Sequence, residues 1–358
     1  KLQRGTSYPA IRDSDMREQI IPLPPTNEQR RIVEAIEAQF TRLDAGVAAL
    51  KRLQANLKRY KAAVLKAACE GKLVPQDPND EPAADLLARI LTERRAQWET
   101  DQRAKGKDPR KLTYPEPAAP DTSDLPDLPE GWAVASMDEL TSRITSGSRD
   151  WSQYYDRGTG TFIMAQNIRL GRLDLAFRQA VDPPQDDTSR ERSQVEAGDL
   201  LVTIVGANTG DVCLVTEELP DHYVCQSVSL MRPVDMDISA YLSLYMISQE
   251  NGQKQYQRYI YGAGRPHLSF DQLKMTAIML PPIDEQQTIV IEAERLLSLI
   301  EAIEIIAIQN VARAERLRQS ILKEAFAGRL VAQDPHDEPA TALLERIQQQ
   351  RAPRKGQF

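Results

Sequence analysis

The chain of 358 residues is poor in the residues that build covalent or metal frameworks. It has three cysteines, Cys69, Cys213 and Cys225, with no CxxC among them, so a disulfide scaffold is excluded and a reducing, cytoplasmic setting is expected. The three histidines, His222, His267 and His336, lie far from any cysteine, which leaves no three- or four-ligand zinc pattern. No run of about 18 apolar residues occurs, so no membrane span is expected. The beginning, Lys1-Leu2-Gln3-Arg4-Gly5, lacks the apolar core of a signal segment. There is no excess of positive charge: 45 basic residues face 52 acidic ones, for a net charge of −7. That balance argues against a generally sticky polyanion binder but leaves room for a local basic face.

What the chain has is an internal repeat. LPPTNEQ at 23–29 returns as LPPIDEQ at 280–286, and EGKLVPQDPNDEPAADLLARI at 70–90 returns as AGRLVAQDPHDEPATALLERI at 327–347. Both matches sit at one offset of 257 residues. The match runs upstream as well, setting Gly5, Pro9, Ile11 and Met16 against Gly262, Pro266, Leu268 and Leu273. Residues 1–22 therefore read as the end of a globular unit whose body lies outside the chain. Residues 23–92 form a first helical segment, 93–128 a polar, proline-rich linker, and 129–279 a complete globular unit. A second helical segment covers 280–347, and 348–358 form a polar tail.

Each helical segment opens on a Pro-Pro pair, which suits the turn before a helix, and carries Glu28 or Glu285 in its first turn. Gly71 and Gly328 mark the expected stops. About 43 residues at 1.5 Å each give a helix of roughly 65 Å, which must bury a stripe along its length. The stripe is predicted to run through Leu296, Ile300, Ile303, Ala307, Asn310, Ala314, Leu317 and Ile321. Its repeat counterpart runs through Gln39, Leu43, Gly46, Leu50, Leu53, Leu57, Tyr60 and Val64. Spacings alternating between three and four describe a coiled-coil seam, with an ordinary helical bundle as the alternative. If the two copies are related by a pseudo-two-fold, the helices run antiparallel.

The globular unit offers strand candidates at Thr161–Ala165, Leu200–Val205, Val212–Val215 and Val228–Met231, and a helix over Ile238–Gln255. Gly206–Gly210 (GANTG) joins two strands as a hairpin-like loop. Without regular βαβ alternation the expected class is α+β: a mixed, largely antiparallel globular domain plus two long antiparallel helices. Enzyme motifs fail one by one. GANTG lacks the Lys-Ser/Thr of a phosphate loop, and no GxSxG or HExxH occurs. Asp182-Pro183-Pro184-Gln185 has the outline of an amino-methyltransferase motif, but Gln185 cannot stack on a base and no methyl-donor loop accompanies it. The expectation is a chain without catalytic, cofactor-binding or metal-binding residues.

Binding chemistry remains. Residues 132–279 carry 13 basic and 19 acidic residues, yet 143–178 hold six arginines against three aspartates. Arginine can read guanine, and Gln or Asn adenine, with two hydrogen bonds each. Loop placement and head-group chemistry select Arg149, Gln166, Asn167, Arg169, Arg172, Asn208 and Arg265 as candidate DNA-binding residues.

The ordered arrangement resembles the specificity subunit of type I restriction-modification systems. The resemblance is carried by the two LPPxxEQ segments, the two helix ends of the ACEGKL and AFAGRL type, LPEGW at 128–132 and ITSGS at 144–148. FIMAQNIRLGRLD at 162–174 and GDLLVT at 198–203 complete it, so that it covers residues 5–347. It implies target-recognition domains that each read half of a split double-stranded DNA sequence, held apart by two long helices, and no chemistry in the subunit itself. It further implies methyltransferase (M) subunits docked on the helical regions and motor-nuclease (R) subunits joining them. Adenine-N6 methylation and ATP-driven cleavage, with S-adenosylmethionine, ATP and Mg, would belong to those partners. This chain carries only one complete recognition domain. The competing class is a coiled-coil interaction adaptor without DNA readout, which the acidic balance favours slightly and the whole-chain resemblance outweighs.

Overall fold

The computed structural model describes residues 12–123, 125–148, 150–183, 188–260 and 266–351. In chain order, a short helix α1 (Asp13–Arg17) precedes the long helix α2 (Thr26–Cys69) and then α3 (Ala83–Ala104). The sheet region follows with β1 (Ala133–Ser136), α4 (Met137–Leu140), β2 (Thr141–Ser146), β3 (Tyr155–Ile163), β4 (Ile168–Arg169), β5 (Arg172–Leu173) and β6 (Gln179–Val181). It continues through α5 (Thr188–Ser193), β7 (Leu200–Thr203), β8 (Val212–Leu214), β9 (His222–Val224) and β10 (Val228–Pro233). Helices α6 (Ser239–Ile247), α7 (Gly252–Ile260) and α8 (Phe270–Lys274) lead to β11 (Ala277–Leu280), the second long helix α9 (Ile283–Phe326) and α10 (Ala340–Arg351). The fold is mixed α and β with two long helices, as the sequence predicts. Contacts divide the chain into one unit of residues 1–57 with 302–358, and a second of residues 58–301.

In the first unit the two long helices run antiparallel. Arg318 pairs with Asp44 and lies over the Phe40 ring, while Arg31 reaches Asp337 at 2.7 Å in the loop before α10. The buried stripe keeps every seventh expected position: Leu43 and Leu50 are half-buried, and Ala307 and Ala314 are buried. The positions between them are corrected by one residue. Val47, Gln54, Val311 and Arg318 face inward where Gly46, Leu53, Asn310 and Leu317 were expected. Helical side chains lean toward the N-terminus, so a given spot is covered by the residue one place further on. Gly71 and Gly328 end the two helices with φ of +65° and +68°, a left-handed turn that favours glycine.

The second unit is built around a four-stranded antiparallel sheet of order β2-β10-β7-β8. A three-stranded sheet, β6-β3-β9, is antiparallel at β6 and parallel at β9. β1 and β11 pair antiparallel as a separate ribbon. One hydrophobic cluster joins the end of α2, α3, α6 and the β1–β11 ribbon; another lies between the two larger sheets around Trp151, Phe162 and Tyr223. Two expectations change here. Helix α3 continues to Ala104, so the segment from residue 93 begins as helix, buried at Ala83, Leu86 and Ile90 on one face. Arg94 in that segment donates to the Thr141 carbonyl at 3.1 Å and pairs with Asp138. The helix expected over Ile238–Gln255 splits into α6 and α7 at Ser248–Asn251, where Asn251 donates to the Ser248 hydroxyl and Gly252 packs tightly on the Met246 backbone.

Burial pushes the thiols of Cys69 and Cys213 from 9.0 up to about 12. A thiol with a raised folded pKa favours the native state fully below its unfolded value, and that contribution disappears as pH climbs toward the folded value. Above pH 9 the wild type is therefore expected to lose stability faster than a Cys69→Ala/Cys213→Ala variant, by up to about 1.4 kcal/mol per pH unit for each thiol. Urea unfolding from pH 7 to 10.5 measures the difference; parallel curves would contradict it.

Candidate nucleic-acid interface

The GANTG loop forms because β7 and β8 pair antiparallel, Val202 opposite Val212, and the chain must reverse between them. Gly206 and Gly210 take positive φ in that reversal, 132° and 97°. Asn208 at the loop's centre points back into the protein. Its amide donates to the carbonyls of Ala165 (2.7 Å) and Ile168 (2.8 Å), which ties the loop to the segment between β3 and β4.

That segment makes a single 3-10 turn at Ala165–Asn167. Asn167 is buried and spends its whole side chain inward: Oδ1 accepts from the Met164 amide at 2.9 Å, and Nδ2 donates to the carbonyls of Asp174 (2.8 Å) and Phe177 (2.7 Å). Its neighbour Gln166 is thereby turned outward and is exposed, as is Arg169. The third wall comes from the turn between β9 and β10. β9 pairs parallel with β3, and this carries Cys225-Gln226-Ser227 alongside Met164 and Ala165. The result is an open groove of about 600 Å³ whose lining includes Gln166, Arg169, Asn208, Gln226, Ser227 and Tyr155.

The expected residues therefore divide. Gln166, Arg169 and Asn208 meet at one groove. Asn167 is corrected from a DNA-facing to a structural residue, because its amide is consumed by backbone groups. Asn208 likewise holds the loop rather than offering its amide outward. Arg172 is exposed but turns away to Asp174 at 3.5 Å and does not line the groove. Arg149 and Arg265 lie outside the described residues, as does the Pro184-Gln185 half of the Asp182–Gln185 motif. Gln226 and Ser227 were missed. Their one sequence signal is a polar pair between two short apolar runs, which says nothing of the neighbours that a parallel strand pairing gives them.

The groove is electrically mild. Burial raises the Asp211 carboxyl, opposed by the nearby Arg169 guanidinium and the Asn208 amide. Burial also raises the Cys225 thiol and the Tyr155 hydroxyl. Among the described residues no group of His, Cys, Asp and Glu is placed to hold a metal ion. Exposed Gln and Arg heads over a floor of backbone and small residues can form paired hydrogen bonds with planar groups.

Residues 188–313 match the family described as type I restriction modification DNA specificity domain. The chain is similar to the type I specificity subunits. It is 27% identical over 352 residues to the EcoBI specificity subunit of Escherichia coli, covering 94% of this chain and 65% of that one. Against the EcoKI specificity subunit of Escherichia coli strain K12 it is 25% identical over 345 residues, with 93% and 64% covered. It thus spans a little under two thirds of the length of these curated relatives. A solved structure concerned with complex assembly and conformational transition of the type I R-M system shares the fold, with a TM-score of 0.56 and 24% identity over 91% of this chain and 66% of that one. The specificity-domain match takes in the Gly206–Gly210 loop and Gln226 and leaves Gln166 and Arg169 outside it.

The division of labour is measurable. Asn167→Ala leaves two carbonyls and an amide without their buried side-chain partner and is expected to lower unfolding stability by about 1–3 kcal/mol. Gln166→Ala and Gln226→Ala, at exposed positions, are expected to stay within about 0.5 kcal/mol of wild type. Denaturant unfolding of the three variants checks this; equal losses would show that the outward pair also holds the fold.

Proposed function

We propose that the chain is the DNA sequence-specificity subunit of a type I restriction-modification complex, reading one half-site with residues 129–279. The observation that carries this is the groove where Gln166, Arg169 and Gln226 are held outward by an inward-facing scaffold of Asn167 and Asn208. Gln suits adenine and Arg suits guanine, each with two hydrogen bonds. The similarity to specificity subunits, which runs along more than nine tenths of this chain, supports the same reading over the adaptor alternative.

In this proposal the helical segments 23–92 and 280–347 are spacers and docking sites for methyltransferase subunits, which motor-nuclease subunits can join. S-adenosylmethionine, ATP and Mg act in those partners in a cytoplasmic assembly, and the subunit itself does no chemistry. The repeat also suggests what the first unit holds. Leu280, Ile289, Ala68 and Cys69 are fully buried where the recognition domain sits on its helices; their counterparts Leu23, Ile32, Ala325 and Phe326 line an apolar groove. A second domain of the same kind would fit that groove and read the other half-site.

The test is selection from a random-sequence duplex pool by the chain assembled with its methyltransferase partner. Gln166→Ala, Arg169→Ala and Gln226→Ala are each expected to relax preference at one base position by about 1–3 kcal/mol. If none changes the selected sequence, this groove does not read DNA. The chain alone is expected to incorporate no labelled methyl group into DNA. Inserting four residues after Gly71 is expected to lengthen the unread spacer and leave the half-site bases unchanged; a changed half-site with a constant spacer would reverse the assigned roles.

A further inference from the structure

The two copies of the repeat differ in charge where their helices are otherwise alike. Residues 45–69 carry six basic residues and no acidic one, whereas the equivalent 302–326 carry four basic and three acidic residues. A shared structural role would not create that asymmetry, since both stretches are the later part of a 44-residue helix. Within the second unit the basic stretch supplies Lys58, Arg59, Lys61 and Lys66, all exposed. Lys58 and Lys61 are one turn apart, and Arg59 and Lys66 share a face two turns apart. Lys58 and Lys61 have no carboxylate partner among the described residues, and Lys66 has only Glu70, at 3.8 Å. Like charges one turn apart, as at Lys58 and Lys61, destabilise a helix by a few tenths of a kcal/mol.

We infer that this face of α2 contacts the phosphate backbone of double-stranded DNA, outside the bases that the groove reads. Three considerations favour a nucleic acid over a protein on this face. Lysine is depleted in the cores of protein–protein interfaces, where aromatic and apolar side chains are enriched. The stretch offers three lysines and an arginine with no acidic residue from 58 to 69. The recognition domain carries six more acidic than basic residues over 132–279, so it gains little from long-range attraction to a polyanion. Cations on the adjoining helix supply that attraction without information about sequence, which leaves the groove to discriminate. The inference rests on the specificity-subunit reading but concerns a different surface and a different observable.

The experiment uses the full chain assembled with its methyltransferase partner and a pool of random-sequence duplexes. Affinity is measured across a salt series for wild type, for Lys58→Gln/Lys61→Gln/Lys66→Gln and for the matching Lys→Arg triple. Each phosphate contact contributes about 0.9 to the slope of log affinity against log salt, so the Gln triple is expected to flatten the slope by about 2–3. The Arg triple is expected to keep it, the sequence selected from the pool is expected not to change, and the gap between Gln triple and wild type narrows as salt rises. An unchanged slope overturns the inference. So does a Gln triple that takes up the methyltransferase partner poorly while its assembled fraction keeps the wild-type slope, because the face would then dock protein. Failure of the wild-type complex to select any sequence would instead overturn the recognition reading, so the two fail separately.

Discussion

Everything in the second unit depends on how the globular part grips the helices that leave it. The Trp132 indole, at the end of the LPEGW segment, donates to Glu285 Oε2 at 2.9 Å in buried surroundings. Glu285 is in the first turn of α9, where the helix dipole favours a carboxylate, yet burial raises its pKa. The indole hydrogen bond opposes that rise and gives the buried charge a partner. Around it pack Cys69, Ala68, Tyr241 and the β1–β11 ribbon, and the Tyr241 hydroxyl closes the arrangement by donating to the Met279 carbonyl at 2.7 Å. Removing the indole would strand a buried acid at the point where a helix, a strand and a sheet layer meet.

How much of this was legible in the sequence varied with the kind of information needed. The repeat, the glycine stops at Gly71 and Gly328 and the GANTG hairpin were readable because each is local chemistry with one good structural solution. The helix seam was half readable: the seven-residue positions such as Leu50 and Ala307 are set by periodicity, but the lean of helical side chains decides whether Leu53 or Gln54 fills the next gap. Residue type told nothing about direction at Gln166-Asn167, two amides in sequence of which one is entirely consumed by backbone groups. Gln226 was beyond reach, since its place beside Ala165 follows from a parallel pairing between strands about sixty residues apart. The break between α6 and α7 was missed because Ser248–Asn251 interrupts an otherwise suitable helical pattern with local side-chain hydrogen bonds.

Under the proposed function, the charge distribution follows from separating reading from holding. A reading surface gains from neutrality, since a strongly basic groove would bind every sequence and blur the differences that two-bond contacts create. The buried ions of the globular part are accordingly paired for structure: Asp199, fully buried, is clamped by Arg232 through two 2.8 Å contacts, and Arg94 bridges Asp138 and the Thr141 carbonyl. These arginines raise the basic count without adding to the electrostatic field outside.

The Pro281-Pro282 step has a mechanical meaning. Strand β11 ends at Leu280 and helix α9 begins at Ile283, so two residues with locked φ are all that separate a ribbon strand from a helix. Such a joint has almost no torsional slack. The ribbon, and the globular part attached to it, is therefore oriented by the helix start itself, as a sight is fixed to a barrel. A single inserted residue there would rotate the following helix face by about 100° relative to the strand. Errors of aim cannot be absorbed locally at such a joint; they must appear as a misdirected groove or a broken ribbon.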